Sequence, residues 1–185
     1  MYPPPKNGAL VCNRVGSDIS CSVTCKDGYE FVFPPSFVYY CLGKDWRFFN
    51  IVPSITPLTT QMPWPDCGKR PSIQLSEDLL PLFAGKKHSY SCAVEGWPLP
   101  EVRWLKNGQK LHNDTINHKI IVERTIVGEE LIDVTLHILD VDIGDSGNYT
   151  CEAMNNITTE NRSIIVSVIC PPALPELKES PPDMG

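Results

Sequence analysis

Apolar and polar residues alternate with a period of two through most of the second half of the chain. Tyr90, Cys92 and Val94 alternate inward across 87–95, and Val134, Leu136 and Ile138 share one face across 131–139. That period puts the apolar members of a segment on one side of a half-buried strand. Further strands are expected at 72–75 and 82–83, as halves of a split first strand, and at 101–106, 119–126, 147–154 and 162–169. Turn signals separate them. Asn107-Gly108 favours a two-residue hairpin, Gly128-Glu129-Glu130 a turn, and Gly96-Trp97-Pro98-Leu99-Pro100 a rigid crossing. Earlier in the chain, Val23, the alternating Tyr29, Phe31 and Phe33, and the run 37–40 read as short strands, preceded by the extended Pro3-Pro4-Pro5 and a tight turn at Asn7-Gly8. The helical period of 3.6 is absent. The expected class is all-β, with a small disulfide-rich unit joined to a β-sandwich.

Four residues sharpen the second half. Cys92 and Cys151 stand 59 positions apart, Trp104 lies between them, and Tyr149 precedes the second cysteine by two. This spacing suits a two-sheet sandwich in which one disulfide ties the sheets. The indole packs on it, and the tyrosine hydroxyl pins the corner leading into the later strand.

Composition narrows the class. Eight cysteines and 18 prolines in 185 residues point to an oxidising compartment. The tightest cysteine pair, Cys21 and Cys25, has no histidine nearby, which weighs against a zinc site. Residues 1–68 carry five basic and five acidic side chains, so the net charge of −6 falls entirely on the rest. An acidic second half argues against nucleic acid as a partner. No basic start with an apolar run marks a secretory signal, and no apolar stretch is long enough to span a membrane. The expectation is an internal piece of a longer secreted or membrane-anchored protein, without direct membrane insertion of its own.

Within residues 1–68, Pro3-Pro4-Pro5-Lys6-Asn7-Gly8, Cys25-Lys26-Asp27-Gly28-Tyr29, Cys41-Leu42-Gly43-Lys44-Asp45-Trp46 and Pro63-Trp64-Pro65-Asp66-Cys67 together resemble a complement control protein, or sushi, module. The resemblance implies that Cys25 pairs with Cys67, that Cys12 and Cys21 bridge each other as in a variant of the module, and that Trp46 is the core indole. The family's first cysteine belongs where Met1 and Tyr2 stand, so the resemblance assigns no mate to Cys41. Between Trp46 and Cys67 the apolar Phe48, Phe49, Ile51, Val52, Ile55 and Leu58 admit three readings. They cap the small core, form a partner-binding surface, or pack on the next domain.

From residue 69 to 169, Gly96-x-Pro98-x-Pro100 with Trp104, Leu136-x-Ile138, and Asp145-x-Gly147-x-Tyr149-x-Cys151-x-Ala153-x-Asn155 resemble an immunoglobulin domain of the I-set. Such domains bind other proteins through sheet faces, edges and end loops. Four Asn-x-Ser/Thr acceptor sequons, at Asn113, Asn148, Asn156 and Asn161, all lie here and mark expected glycan sites. Asn148, beside the tyrosine corner, is expected to be the less accessible. A joint of about three residues, with Lys69-Arg70 as a solvated linker, separates the two units. Residues 170–185 read as a proline-rich tail. A Cys41–Cys170 bond would even the count but would require the end of the last strand to fold back on the first unit, so Cys41 and Cys170 are expected to be unpaired here or bonded to sequence outside this stretch or to another chain.

No serine sits in a nucleophile-elbow pattern, and His88, His112, His118 and His137 lack metal-ligand spacing. Asp140, Asp142 and Asp145 could attract calcium, but the immunoglobulin pattern already accounts for Asp145 as a turn residue. No enzyme activity, metal or cofactor is expected. The functional expectation is an extracellular recognition or adhesion segment whose partner is an extracellular or cell-surface protein, or a second copy of the chain. The alternatives are the ectodomain of a signalling receptor and accessory binding modules of a secreted modular enzyme.

Overall fold

The structure is a computed structural model, and residues 3–36, 38–42, 45–49, 64–76, 81–113 and 119–170 are described, without the side chains of 38, 42 and 45–49. It is all-β. The first sheet takes β1 (Gly8–Val15) and β2 (Asp18–Cys25) as a hairpin. The two-residue β3 (Glu30–Phe31) stands apart from it, and β4 (Val38–Leu42) and β5 (Asp45–Phe49) complete the order β1-β2-β4-β5, antiparallel throughout. Gly16 turns the hairpin at φ 63°, where a Cβ would be strained.

In this hairpin Cys12 lies directly opposite Cys21, and a disulfide joins them. A second disulfide joins Cys25 to Cys67. The buried apolar side chains of this unit include Tyr39 and Trp64, packed edge to face with ring centroids 5.7 Å apart. The Trp64 indole N–H donates to the Pro3 carbonyl at 3.0 Å, tying the proline run to the core. Such a core is small for an independent fold, and cross-links supplement it.

The sandwich begins at β6 (Cys67–Leu75), followed by β7 (Leu82–Phe83), β8 (His88–Trp97), β9 (Glu101–Lys106) and β10 (Gln109–Lys110). Then come β11 (Ile120–Ile126), β12 (Leu131–Ile138), β13 (Gly147–Met154), β14 (Thr159–Val166) and β15 (Val168–Ile169). One sheet runs β10-β9-β13-β14 and the facing one β11-β12-β8-β6-β3; β15 pairs in parallel with β7. Every second residue of β8, β12 and β13 is buried, the outcome the alternation requires.

The inner faces meet around a disulfide between Cys92 and Cys151. Trp104 is buried beside it, and its indole N–H donates to the Val134 carbonyl at 2.9 Å. At the β9–β10 turn Asn107 and Gly108 take φ of 52° and 81°, the left-handed pair that a two-residue hairpin needs.

Before β13 a 3-10 turn, Ile143–Asp145, is capped reciprocally. The Gly144 N–H donates to Asp142 and the Asp142 N–H to Asp145. Lys119 sits on both carboxylates and holds the Asp142 pKa below the usual carboxylate range. The Tyr149 hydroxyl donates to the Asp145 carbonyl at 2.8 Å in a buried setting, and burial pushes its pKa up. Tyr149→Phe should therefore cost about 1–2 kcal/mol, read as a lowered midpoint in urea unfolding with an unchanged slope.

Several strand limits differ from expectation, and three of the differences follow from how the strands pair. β8 runs on through Gly96 and Trp97, since pairing with β6 continues to Lys69↔Trp97. The last strand breaks at Ser167, so that β15 can leave β13 and pair with β7. The largest difference is β6. It starts at Cys67 rather than residue 72, so Lys69 and Arg70 belong to a strand and not to a solvated linker.

Candidate functional site

The residues that join the two halves carry a dense set of polar contacts. β6 is shared between them. At its start Glu30 and Phe31 of β3 pair with Gly68 and Cys67, and further along Ser72–Leu75 of the same strand pair with β8. Pro71, which has no N–H to donate, falls at the register shift between Lys69 and Ser72, where the ladder is interrupted.

Gly68 is buried, and a Cβ there would meet the Trp97 carbonyl oxygen and the Ile157 side chain at 2.8 Å and the Val32 side chain at 3.0 Å. Asn155, in the β13–β14 turn, donates from Nδ2 to the Lys69 carbonyl at 2.8 Å and to the Pro98 carbonyl at 3.3 Å. Its Oδ1 accepts from the Ile157 and Thr158 N–H groups.

Charges surround this backbone core. Tyr29 donates its hydroxyl to Glu130 at 2.6 Å, Lys69 meets Glu95 at 3.0 Å and Glu130 at 3.8 Å, and Arg70 grips Glu30 with two bonds of 2.6 and 3.1 Å. Lys6 Nζ stands 4.6 Å over the Trp97 ring and 3.8 Å from Glu129. Solvent screens ion pairs at or near the surface, so the backbone contacts dominate the joint.

The hydrogen bond to the Glu130 carboxylate, with smaller help from burial and from its charge, pushes the Tyr29 pKa up to about 12. A folded-state pKa above the usual 10.0 means that this bond stabilises fully below pH 10 and is lost as pH rises from there through about 12. Absorbance titration should show one phenol ionising near pH 12, and Tyr29→Phe should remove that step.

The Asn113, Asn148, Asn156 and Asn161 side chains are all exposed, Asn148 included. Asn148 and Asn161 lie on β13 and β14, opposite Ile165 and Glu152. Tyr149, Cys151 and Ala153 point into the core, so both asparagines project from the outer face of that sheet. Asn156 is in the β13–β14 turn, next to the joint. Asn113 accepts the Val122 N–H at 2.6 Å and so borders β11. A groove of about 460 Å³ between β6 and β14 is lined by Ile73, Leu75, Asn161, Arg162 and Ser163.

On the outer face of the other sheet, Ser89 lies 2.7 Å from His137 Nδ1, and His137 Nε2 lies 3.4 Å from Glu123. The order serine, histidine, carboxylate is that of a hydrolase, but these residues sit side by side on the regular strands β8, β12 and β11. The neighbouring backbone N–H groups belong to the ladder and do not converge on a developing oxyanion. The arrangement is a cross-strand polar ladder. Ser91 continues it by donating to Asp133 at 3.0 Å. Among the described residues no cluster of histidine, cysteine and carboxylate could hold a metal, and no helix is long and apolar enough to cross a membrane.

Cys41 lies half-buried on β4 between Ile19 and Trp46, and Cys170 is exposed just past β15. The apolar Ile51, Val52, Ile55 and Leu58, together with His118 and residues 171–185, lie outside the described residues, as do the side chains of Trp46, Phe48 and Phe49. Two features escaped sequence reasoning: Trp64 as a buried indole of the N-terminal unit, and Gly68 as a point of close approach at the joint. Trp64-Pro65 just before Cys67 was the available signal for the first; a lone glycine after a cysteine carries none for the second.

The immunoglobulin I-set domain family matches residues 75–168. The Sushi, von Willebrand factor type A, EGF and pentraxin domain-containing protein 1 of Rattus norvegicus is 35% identical over 66 residues, which is 35% of this chain and 2% of that protein. The cell adhesion molecule DSCAML1 of Mus musculus is 32% identical over 90 residues, 49% of this chain and 4% of that protein. The chain thus spans a few hundredths of the length of these relatives. A solved structure of titin M4 is 26% identical, covers 54% of this chain and 95% of its own, and superposes with a TM-score of 0.45. With its sandwich, its inter-sheet disulfide and the family match over residues 75–168, the chain belongs to the immunoglobulin I-set domain family.

Proposed function

We propose that this chain is a non-catalytic, extracellular protein-recognition segment of a larger secreted or membrane-anchored protein. In this reading residues 1–68 are a sushi module with an extra cysteine pair, 69–169 an I-set domain and 170–185 a proline-rich tail. The observation that carries it is an I-set sandwich in a chain with three disulfides, two of them in the preceding unit. Disulfides persist in oxidising compartments, and the I-set is a binding-module fold. The relatives named for sushi domains and for cell adhesion support both halves of the reading.

The partner is an extracellular or cell-surface protein, and its binding face is the outer face of β11-β12-β8. The opposite face carries the Asn148 and Asn161 acceptors, and glycans there would cover it and the mouth of the neighbouring groove. The test is a secreted, bivalent fusion of the whole chain applied to intact cells, with glycopeptide mass spectrometry of the same preparation. Saturable, protease-sensitive binding that Leu131→Arg abolishes and Ile165→Arg spares supports the assignment. The reverse sensitivity would move the site to the glycan-bearing sheet, and binding to no cell surface would overturn the reading.

A further inference from the structure

We propose that the joint is a lock: it fixes the N-terminal unit on the sandwich as one rigid body, and the small unit draws part of its stability from the sandwich through β6. Three independent observations carry this. First, β6 has no break in chain direction between the halves. The strand pairs with β8 at Lys69 and again from Ser72 to Leu75, and it is already paired with β3 at Cys67 and Gly68, where Cys67 is anchored by its disulfide to Cys25. A pivot at residues 67–71 would have to break pairing with β3 or with β8.

Second, Gly68 is enclosed by groups from both sides, the Val32 side chain from the N-terminal unit and the Trp97 carbonyl and Ile157 from the sandwich. Backbone on one side and packed side chains on the other leave no room for a hinge. Third, the Asn155 side chain clamps the carbonyls of Lys69 and Pro98, so the residue that directly follows Gly68 is held to a turn of the sandwich.

Energetics point the same way. The described apolar core of the N-terminal unit is a few residues around Tyr39 and Trp64, while the sandwich core is large and continuous. A small unit of this kind is marginal by itself, and a strand shared with a stable neighbour adds hydrogen bonds and burial without new core. Consequently β3 and the N-terminal end of β6 should exchange their amide hydrogens together with the sandwich, and not as an independent, less stable piece.

The decisive experiment is solution NMR on the whole oxidised chain, with residual dipolar couplings and amide exchange measured on both halves. One alignment tensor must fit the amides of both units in the native protein. Gly68→Leu is expected to split this into two tensors and to raise exchange in β3, with protection of β8 and β12 retained as proof that the sandwich is intact. Should Gly68→Leu fail to fold, Asn155→Ala, which adds no bulk, is expected to produce the same split in weaker form. Two distinct tensors in the native chain would overturn the proposal. So would a single tensor that survives in the folded Gly68→Leu protein, or in Asn155→Ala where the leucine variant does not fold.

Discussion

Trp104→Ala should unfold the sandwich more readily than any other single side-chain change, at a cost of about 3–5 kcal/mol. The indole is 1% exposed and lies between the sheets beside the Cys92–Cys151 bridge, near Tyr90 at 6.5 Å between ring centroids. Removing it leaves a cavity that two hydrogen-bonded sheets cannot close, since each strand is held in register by its neighbours. It also takes away the N–H that reaches the Val134 carbonyl. Trp104→Phe separates the terms, because it keeps most of the ring and loses the hydrogen bond; its cost should be about 1–3 kcal/mol. Guanidinium unfolding followed by circular dichroism measures both. A loss below about 1 kcal/mol in the alanine variant would mean that the indole is not the centre of the core.

The second large effect is expected from Cys92→Ala combined with Cys151→Ala. A bridge across 59 residues restricts the unfolded chain strongly, and the chain-entropy relation puts its contribution at about 4 kcal/mol. The double variant avoids leaving one buried thiol opposite an alanine. Removing the Cys12–Cys21 bridge in the same way should cost less, about 2.5 kcal/mol, because it closes only 9 residues. Thermal scans of the two double variants should rank in that order, with a drop of roughly 10 °C or more for the sandwich bridge. The opposite ranking would place the stability of the chain in its N-terminal hairpin rather than in its sandwich.

These effects converge on the centre of the sandwich, whereas recognition and coupling lie on its surface, and the two were not equally legible. The period-two pattern of Tyr90, Cys92 and Val94 reads directly as a strand with one buried face, because side chains alternate in any β-strand whatever surrounds it. Val134, Leu136 and Ile138 repeat the argument on the neighbouring strand, and the register Val134↔Cys92 aligns the two faces. Asn107-Gly108 is legible for the same local reason, since a two-residue turn demands φ values that these residues tolerate. The joint is different. Lys69-Arg70-Pro71 has the composition of a linker, and nothing local distinguishes it from one. It is drawn into a strand because Cys67 and Gly68 just before it pair with β3, 36 and 38 residues earlier in the chain, while Lys69 pairs with Trp97 of β8, 28 residues later.

The order of residues in this chain determined on its own the all-β class, the main strands and the residues able to meet inside a sandwich, because strand alternation and tight turns depend on near neighbours. Only the tertiary structure decided that β6 runs unbroken from one unit to the next, that Gly68 sits where no Cβ fits, and that Asn155 closes the joint. Those outcomes rest on contacts between segments far apart in the chain, and pairing across such distances is set by packing, which no local pattern encodes.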